Sequence, residues 1–218
     1  MIVSDILTRV KRSFGDESGV QITDDDIIRW INDGQRQIVM QNEGLLEKTA
    51  FSNAVKDQQE YSMPTDLLIL QGLSYKSPDD TAYYKLKGLS WQQMNTYIDG
   101  FDGSAYDKAT PIVYSIFASN LVLIPIPDRN QTSGIKIFYN RKPVDVVSTT
   151  DTPDLPILYH DVLVKHCLQQ AYELDEDWDA SQAKGTQMDA DVALLRGRDT
   201  WKQEEMYPII TIRAEDEF

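Results

Sequence analysis

The chain has 218 residues, 41% hydrophobic and 10% aromatic, enough apolar surface for a packed core, which excludes a disordered acidic tail. Its 21 basic and 35 acidic residues leave a net charge of −14, which repels phosphate backbones and excludes a role gripping duplex nucleic acid. A single cysteine excludes an internal disulfide and any zinc site built on several thiolates, and it suits synthesis in a reducing cytoplasm.

Helical period dominates the first part of the chain. MIVSDILTRVKRSF mixes charge with apolar residues at helical spacing, unlike a signal peptide. Ile2, Ile6, Val10 and Phe14 mark a first short helix, which GDESG breaks. Thr23 followed by Asp24, Asp25 and Asp26 predicts the next helix start, a hydroxyl cap with carboxylates at the positive end of the dipole. Ile27, Ile31, Gly34 and Ile38, widened by Ile28 and Trp30, carry that helix to about Gln41–Gly44.

From Leu45 to about Thr150, short β-favouring runs alternate with turn residues. The predicted strands are LEKTAFSNAV, LLILQGLSYK, AYYKLKGLS, TPIVYSIFAS, NLVLIPIP and SGIKIFYNRKP. Ser119-Asn120, between two apolar runs, predicts a tight hairpin, while Ser77-Pro78-Asp79-Asp80 and Asp128-Arg129-Asn130 suit looser reversals. A helical insert is expected over Ser90–Ile98, followed by a glycine-rich loop, DGFDGSAYD. The absence of a strand–helix–strand rhythm points to an antiparallel sheet or small barrel. No apolar run approaches the ~20 residues a bilayer span needs, so no membrane role is expected.

Helix returns at Asp154, a capping candidate in front of Pro156 in the first turn. One stripe runs through Tyr159, Leu163, Cys167, Ala171, Leu174 and Trp178. After DEDWD a second runs through Ala183, Gln187, Ala190, Leu194, Gly197 and Trp201, and Pro208 ends that helix before the β-favouring tail YPIITIR. The expectation is an α+β protein. Residues 1–44 and 154–205 form a helical bundle, 45–153 an inserted antiparallel β-sheet or small barrel domain, and 206–218 a C-terminal arm.

The stretch TDTPDLPILYHDVLVKHC concentrates reactive side chains, but their spacing separates them. His160 and Cys167 lie two helical turns apart, about 10 Å along the axis, whereas a thiol–imidazole pair needs about 3 Å. His166 and Cys167 are adjacent, so they do not face each other. His160 and His166 miss the spacings that put two metal ligands on one helix face. Asp24–Asp26 are explained by the helix dipole, and DEDWD by a solvated break between helices. In DGFDGSAYD, Asp99 and Asp102 lack the alternating acids and distal Glu of a calcium loop. Neither GxxxxGK[ST] nor GxGxxG occurs. No catalytic residue, metal or cofactor is expected, and the chain is read as a non-enzyme.

Four local sequences, taken in order, carry a resemblance: DIIRWINDGQRQIV, YSMPTDLLIL, IFYNRKPV and TDTPDLPILYHDVLVKHCLQQAYE. Together they resemble head-to-tail connector proteins of tailed bacteriophages, most closely the podovirus adaptors related to tail tubular protein A. The resemblance implies a structural virion protein, made in the cytoplasm of a bacterial host. It implies a homo-oligomeric ring, usually dodecameric, beneath the portal protein, with the helical part as ring body. Such a ring retains packaged DNA until ejection, lets it pass without specific binding, and docks the tail nozzle, tube or fibre proteins. The matching portal arm is Tyr207, Pro208, Ile209, Ile210, Ile212 and Arg213, whose β-favouring composition suits addition to a partner's strand edge. Packing of this tail on its own subunit is the alternative. The rival functions are another tail-completion or tail-tube protein, or an acidic regulatory protein that mimics DNA. The scattered acids, clustered at helix ends, fit a DNA mimic poorly.

Overall fold

The computed structural model describes residues 1–42, 44–93 and 108–204, with side chains as far as residue 197. It is an α+β protein that divides into two compact units, Met1–Leu45 with Pro143–Phe218, and Leu46–Lys142.

The first unit is helical. Helix α1 (Val3–Phe14) buries Val3, Ile6, Leu7 and Val10. It ends at Gly15, whose φ of 94° is a left-handed cap that glycine adopts without steric cost. Helix α2 (Asp24–Gln41) starts as the sequence predicts. Thr23 Oγ1 accepts the Asp26 N–H at 3.2 Å, and the Asp26 carboxylate accepts the Thr23 N–H at 3.3 Å, a reciprocal capping box.

The return of the chain differs from expectation. Asp154 caps no helix, because its carboxylate accepts the Val144 N–H at 2.8 Å. Pro156 is extended, a short 3-10 turn follows over Ile157–Tyr159, and only then does α3 (His160–Leu174) begin. Residues 143–153, drawn into the β-domain by sequence, instead hydrogen-bond to α1 and α2 as an irregular strap. Helix α4 (Trp178–Glu204) follows the acidic break as expected. Lys165 of α3 is paired with Asp191 of α4, and the Phe14 and Tyr172 rings lie 5.5 Å apart.

Two apolar stripes need correction. Of the first stripe, Tyr159 in the 3-10 turn and Leu163, Cys167 and Ala171 in α3 are buried, but Leu174 at the end of α3 and Trp178 at the start of α4 are 60% and 67% exposed. In α4 the inward face carries Ser181, Met188 and Val192, while Ala183, Gln187, Ala190, Leu194 and Gly197 face solvent. Alanine and glycine offer little apolar area, so the bulkier Met188 and Val192 set the rotation of the helix.

Among the described residues the second unit has eight strands in two four-stranded sheets. They are β1 (Glu47–Ala54), β2 (Glu60–Ser62), β3 (Leu67–Tyr75), β4 (Tyr84–Lys85), β5 (Lys87–Gly88), β6 (Val113–Phe117), β7 (Asn120–Ile124) and β8 (Gln131–Arg141). One sheet runs β1-β8-β3-β4, all antiparallel; the other runs β2-β7-β6-β5, with β5 and β6 parallel. Alternation in β8 sends Ile135, Ile137 and Tyr139 inward, where they pack with Leu73 and Tyr75 of β3 and Leu121 and Leu123 of β7. Both sheets therefore share one core. The hairpin between β6 and β7 turns on Ala118 and Ser119, with φ of 47° and 66°, one residue earlier than expected. Asn120 is instead the first residue of β7 and pairs with Phe117. The helical insert is described only over residues 91–93, which are helical; the rest of it and DGFDGSAYD lie outside the described residues.

Candidate interaction surfaces

The His/Cys stretch resolves into core packing and one clamp. His160 Nε2 lies 2.9 Å from the Leu155 carbonyl oxygen, which only accepts, so Nε2 carries the proton. Nδ1 is then the acceptor for the Met1 ammonium, 2.8 Å away. Burial is the main cause that lowers the His160 pKa. His166 is buried with neither ring nitrogen hydrogen-bonded among the described residues, and burial again lowers its pKa. Its ring fills the space above Gly34 of α2, where a Cβ would sit 2.7 Å from Cδ2. Cys167 is wholly buried, and burial pushes its thiol pKa up, opposite to what a nucleophile needs.

The acidic groups at helix ends bind backbone. Asp16 accepts the N–H groups of Val20, Gln21 and Ile22 at 2.8–3.1 Å, and the Ser18 hydroxyl at 3.0 Å. These donors, Ile22 foremost, hold its pKa down to about 2. Asp26 is lowered chiefly by the Thr23 hydroxyl, and Asp151 by the N–H groups of Val147 and Ser148. Carboxylates spent on loop and cap hydrogen bonds do not form the regular acidic row of a DNA mimic. Among the described residues, no group of three or more His, Cys, Asp or Glu is placed to hold a metal ion.

The segment DIIRWINDGQRQIV acquires a structural meaning that spacing did not reveal. Asn32 donates to the Val146 carbonyl at 3.0 Å and accepts its N–H at 2.8 Å, as another backbone would. Gln35, fully buried, accepts the Asp154 N–H at 2.6 Å. Arg36 grips both oxygens of Asp145 at 2.9 and 2.7 Å. On α1, the unpaired N–H groups of Val3 and Ser4 donate to the carbonyls of Asp151 and Thr149, each at 2.8 Å. Asn32, Gln35 and Arg36 of the strip thus clamp the strap that leads into α3. In YSMPTDLLIL, Asp66 has a matching role within the β-unit, accepting from Lys48 at 2.7 Å and from the Tyr139 hydroxyl at 2.9 Å.

The outward surface holds the better candidates for contact. Val144 and Val147 on the strap, Ile157 and Leu158 on the 3-10 turn, and Leu174 and Trp178 at the α3–α4 corner are all more than half exposed. An open groove between α2 and α4 is lined by Gln41, Asp189, Val192, Ala193, Arg196 and Gly197. On the β-unit, Phe51 is 56% exposed beside Tyr83 and Lys136. Tyr207, Pro208, Ile209, Ile210, Ile212 and Arg213 lie outside the described residues.

A family model, described as SU10 adaptor protein, matches residues 1–209. The chain belongs to the SU10 adaptor protein family. It is a phage head–tail adaptor, a structural component of the virion. No curated protein matches it. The match spans all four segments of the connector resemblance, including the strip of α2 that clamps the strap. Membership in an adaptor family implies contacts with portal and tail proteins in general. Among the described residues no helix is long and apolar enough to cross a membrane.

Proposed function

We propose that this SU10-family adaptor assembles as a dodecameric ring beneath the portal, in a tail of the podovirus type. The helical unit forms the ring body, and residues 206–218 form an arm that reaches into the portal. The ring retains the packaged genome until ejection and docks the tail nozzle, tube or fibre proteins. It is made in the cytoplasm of the bacterial host and acts without a cofactor or catalytic step.

The observation that carries this reading, beside the family match, is how charge is divided. Met1–Leu45 with Pro143–Phe218 holds 11 Lys and Arg against 25 Asp and Glu, the whole net charge of −14. Leu46–Lys142 holds ten of each and is neutral. A ring body made from the acidic unit presents like charge to DNA, so the genome slides past without being held by counterion release. The arm fits β-augmentation, since Ile209, Ile210 and Ile212 alternate with a polar residue only in part and favour an extended strand.

Mixing the purified protein with portal particles and sizing the product tests the assignment. A stable complex is expected; a lone adaptor peak with both empty and DNA-filled heads would overturn it. Removing residues 206–218 is expected to abolish attachment while the circular dichroism of the protein is retained. Attachment that survives the deletion rules out the arm.

A further inference from the structure

The outer face of the β1-β8-β3-β4 sheet departs from an ordinary solvated face. Register places Phe51, Lys136, Ser74 and Lys85 in one row across the four strands, with Thr49, Phe138 and Gly72 in the row beside it. The Lys136 ammonium sits 4.7 Å from the Phe138 ring centre, 5.6 Å from Tyr83 and 5.8 Å from Phe51. Lys76 lies 6.0 Å from the far side of the cluster, at Tyr83. Gly72 is buried, and a Cβ there would touch Lys85 Cε at 3.9 Å, so the lysine stem lies over this strand.

Three cations elsewhere in this unit are paired with acids: Lys48 with Asp66, Lys108 with Asp57, Arg129 with Asp79. Lys76, Lys85 and Lys136 make no ion pair among the described residues. The face is therefore a local cationic and aromatic excess in a neutral unit. It calls for an occupant that brings both carboxylates and apolar side chains.

The helical unit exposes such a surface. All six residues of Leu174–Asp179 are exposed, with Leu174 and Trp178 framing Asp175, Glu176 and Asp177. Among the described residues only Asp177 of these acids is committed, accepting the Ala180 N–H at 3.1 Å as the cap of α4. The corner is held out by a tight turn with Glu176 at φ 60°.

We propose that the outer face of the β1-β8-β3-β4 sheet docks the Leu174–Asp179 corner of a second copy of this chain. Charge complementarity selects the occupant: the partner's acidic corner supplies carboxylates for Lys76, Lys85 and Lys136, and its Trp178 stacks on the Phe51–Tyr83–Phe138 ridge. The two patches differ, so the contact is heterologous, and repeating it closes a ring or extends a filament. The inference deepens the ring reading and rests on it.

Cross-linking between copies tests it. In a Cys167→Ala background, one copy carries Lys85→Cys and a second, differently tagged copy carries Asp179→Cys; they are mixed with portal particles and a bis-maleimide. The expected product is a heterodimer joining the two tags, with no homodimer of either. Lys76→Glu with Lys85→Glu is expected to weaken self-association at least tenfold, as is Asp175→Lys with Glu176→Lys, and combining all four restores it. Asp177 is left intact so that the cap of α4 survives. Assembly that proceeds without the heterodimer and without rescue overturns the docking site and leaves the ring reading standing. A protein that stays monomeric by sedimentation, with and without portal, overturns both.

Discussion

The two units treat their acidic residues differently. In the β-unit several acids are paired with cations, as in Lys48–Asp66 and Arg129–Asp79, and its ten acidic and ten basic residues cancel in number. In the helical unit many acids are satisfied by backbone N–H groups, as at Asp16, Asp26, Asp151 and Asp154. An N–H donor stabilises a carboxylate without neutralising it. The helical unit, which also holds ion pairs such as Arg9–Asp161, can therefore accumulate negative charge and still fold. In the β-unit Asp80 accepts the Ser77 N–H at 3.0 Å in the same way, but there acids and bases are equal in number. The two histidines and the cysteine also lie in the helical unit.

The sharpest way to separate the units is to open a cavity in one at a time. Leu163 and Leu123 are each fully buried, in the helical and β cores respectively. Leu163→Ala and Leu123→Ala are each expected to cost about 3 kcal/mol, each lowering one transition in calorimetry. If either substitution lowers both transitions equally, the units unfold together and the comparison fails.

Breaking the clamp affects the helical unit alone, by a smaller amount. Gln35→Leu keeps the volume but leaves the Asp154 N–H without its acceptor, a loss of about 1–3 kcal/mol. The Asp154 amide is expected to exchange with solvent faster, while amides of β8 keep their protection. Unchanged exchange at Asp154 would show that the strap is held without Gln35.

Acidification divides the units next. Burial lowers the folded pKa of His160 and His166 below their ordinary value, so the folded helical unit keeps both neutral. The unfolded chain takes up these protons first, near pH ~6.5. Stability is thus fully present above that value and falls with pH below it, by at most about 1.4 kcal/mol per pH unit for each histidine. The β-unit has no histidine, and its transition is expected to stay level over the same window. Equal slopes in the two transitions would contradict this. A further loss in the helical unit follows at lower pH, as Asp16 protonates through about 2.

The smallest effect is expected at Cys167. Cys167→Ala removes one buried sulfur and is expected to cost about 1 kcal/mol, with attachment to portal unchanged. In the folded wild type a maleimide is expected not to react with this thiol, and rapid labelling would show that α3 opens.

Local sequence was a good guide wherever local forces decide. Thr23 and Asp26 cap α2 through bonds three residues apart, and alternation in β8 places Ile135, Ile137 and Tyr139 on one face whatever packs there. The acidic break between α3 and α4 was legible for the same reason. The strap was not legible, because its backbone bonds end on Asn32 and Gln35 and its Asp145 carboxylate on Arg36, more than a hundred residues earlier. Of the proposed surfaces, the arm at Tyr207–Arg213 rests on sequence and on the resemblance to connectors alone, since it lies outside the described residues. The face around Lys136 was not, since Phe51, Tyr83 and Phe138 meet only once β1 and β8 are paired.

The chain's own residues settled the α+β class, most element positions, the acidic balance and the lack of catalytic spacing, because these depend on neighbours within a few turns or on composition alone. The rotation of α4, the place of residues 143–153 and the juxtaposition of Lys76 and Lys136 with three rings were decided in the folded protein. Each depends on which distant surfaces compete for the same apolar and hydrogen-bonding groups, and that competition exists only once the chain has closed on itself.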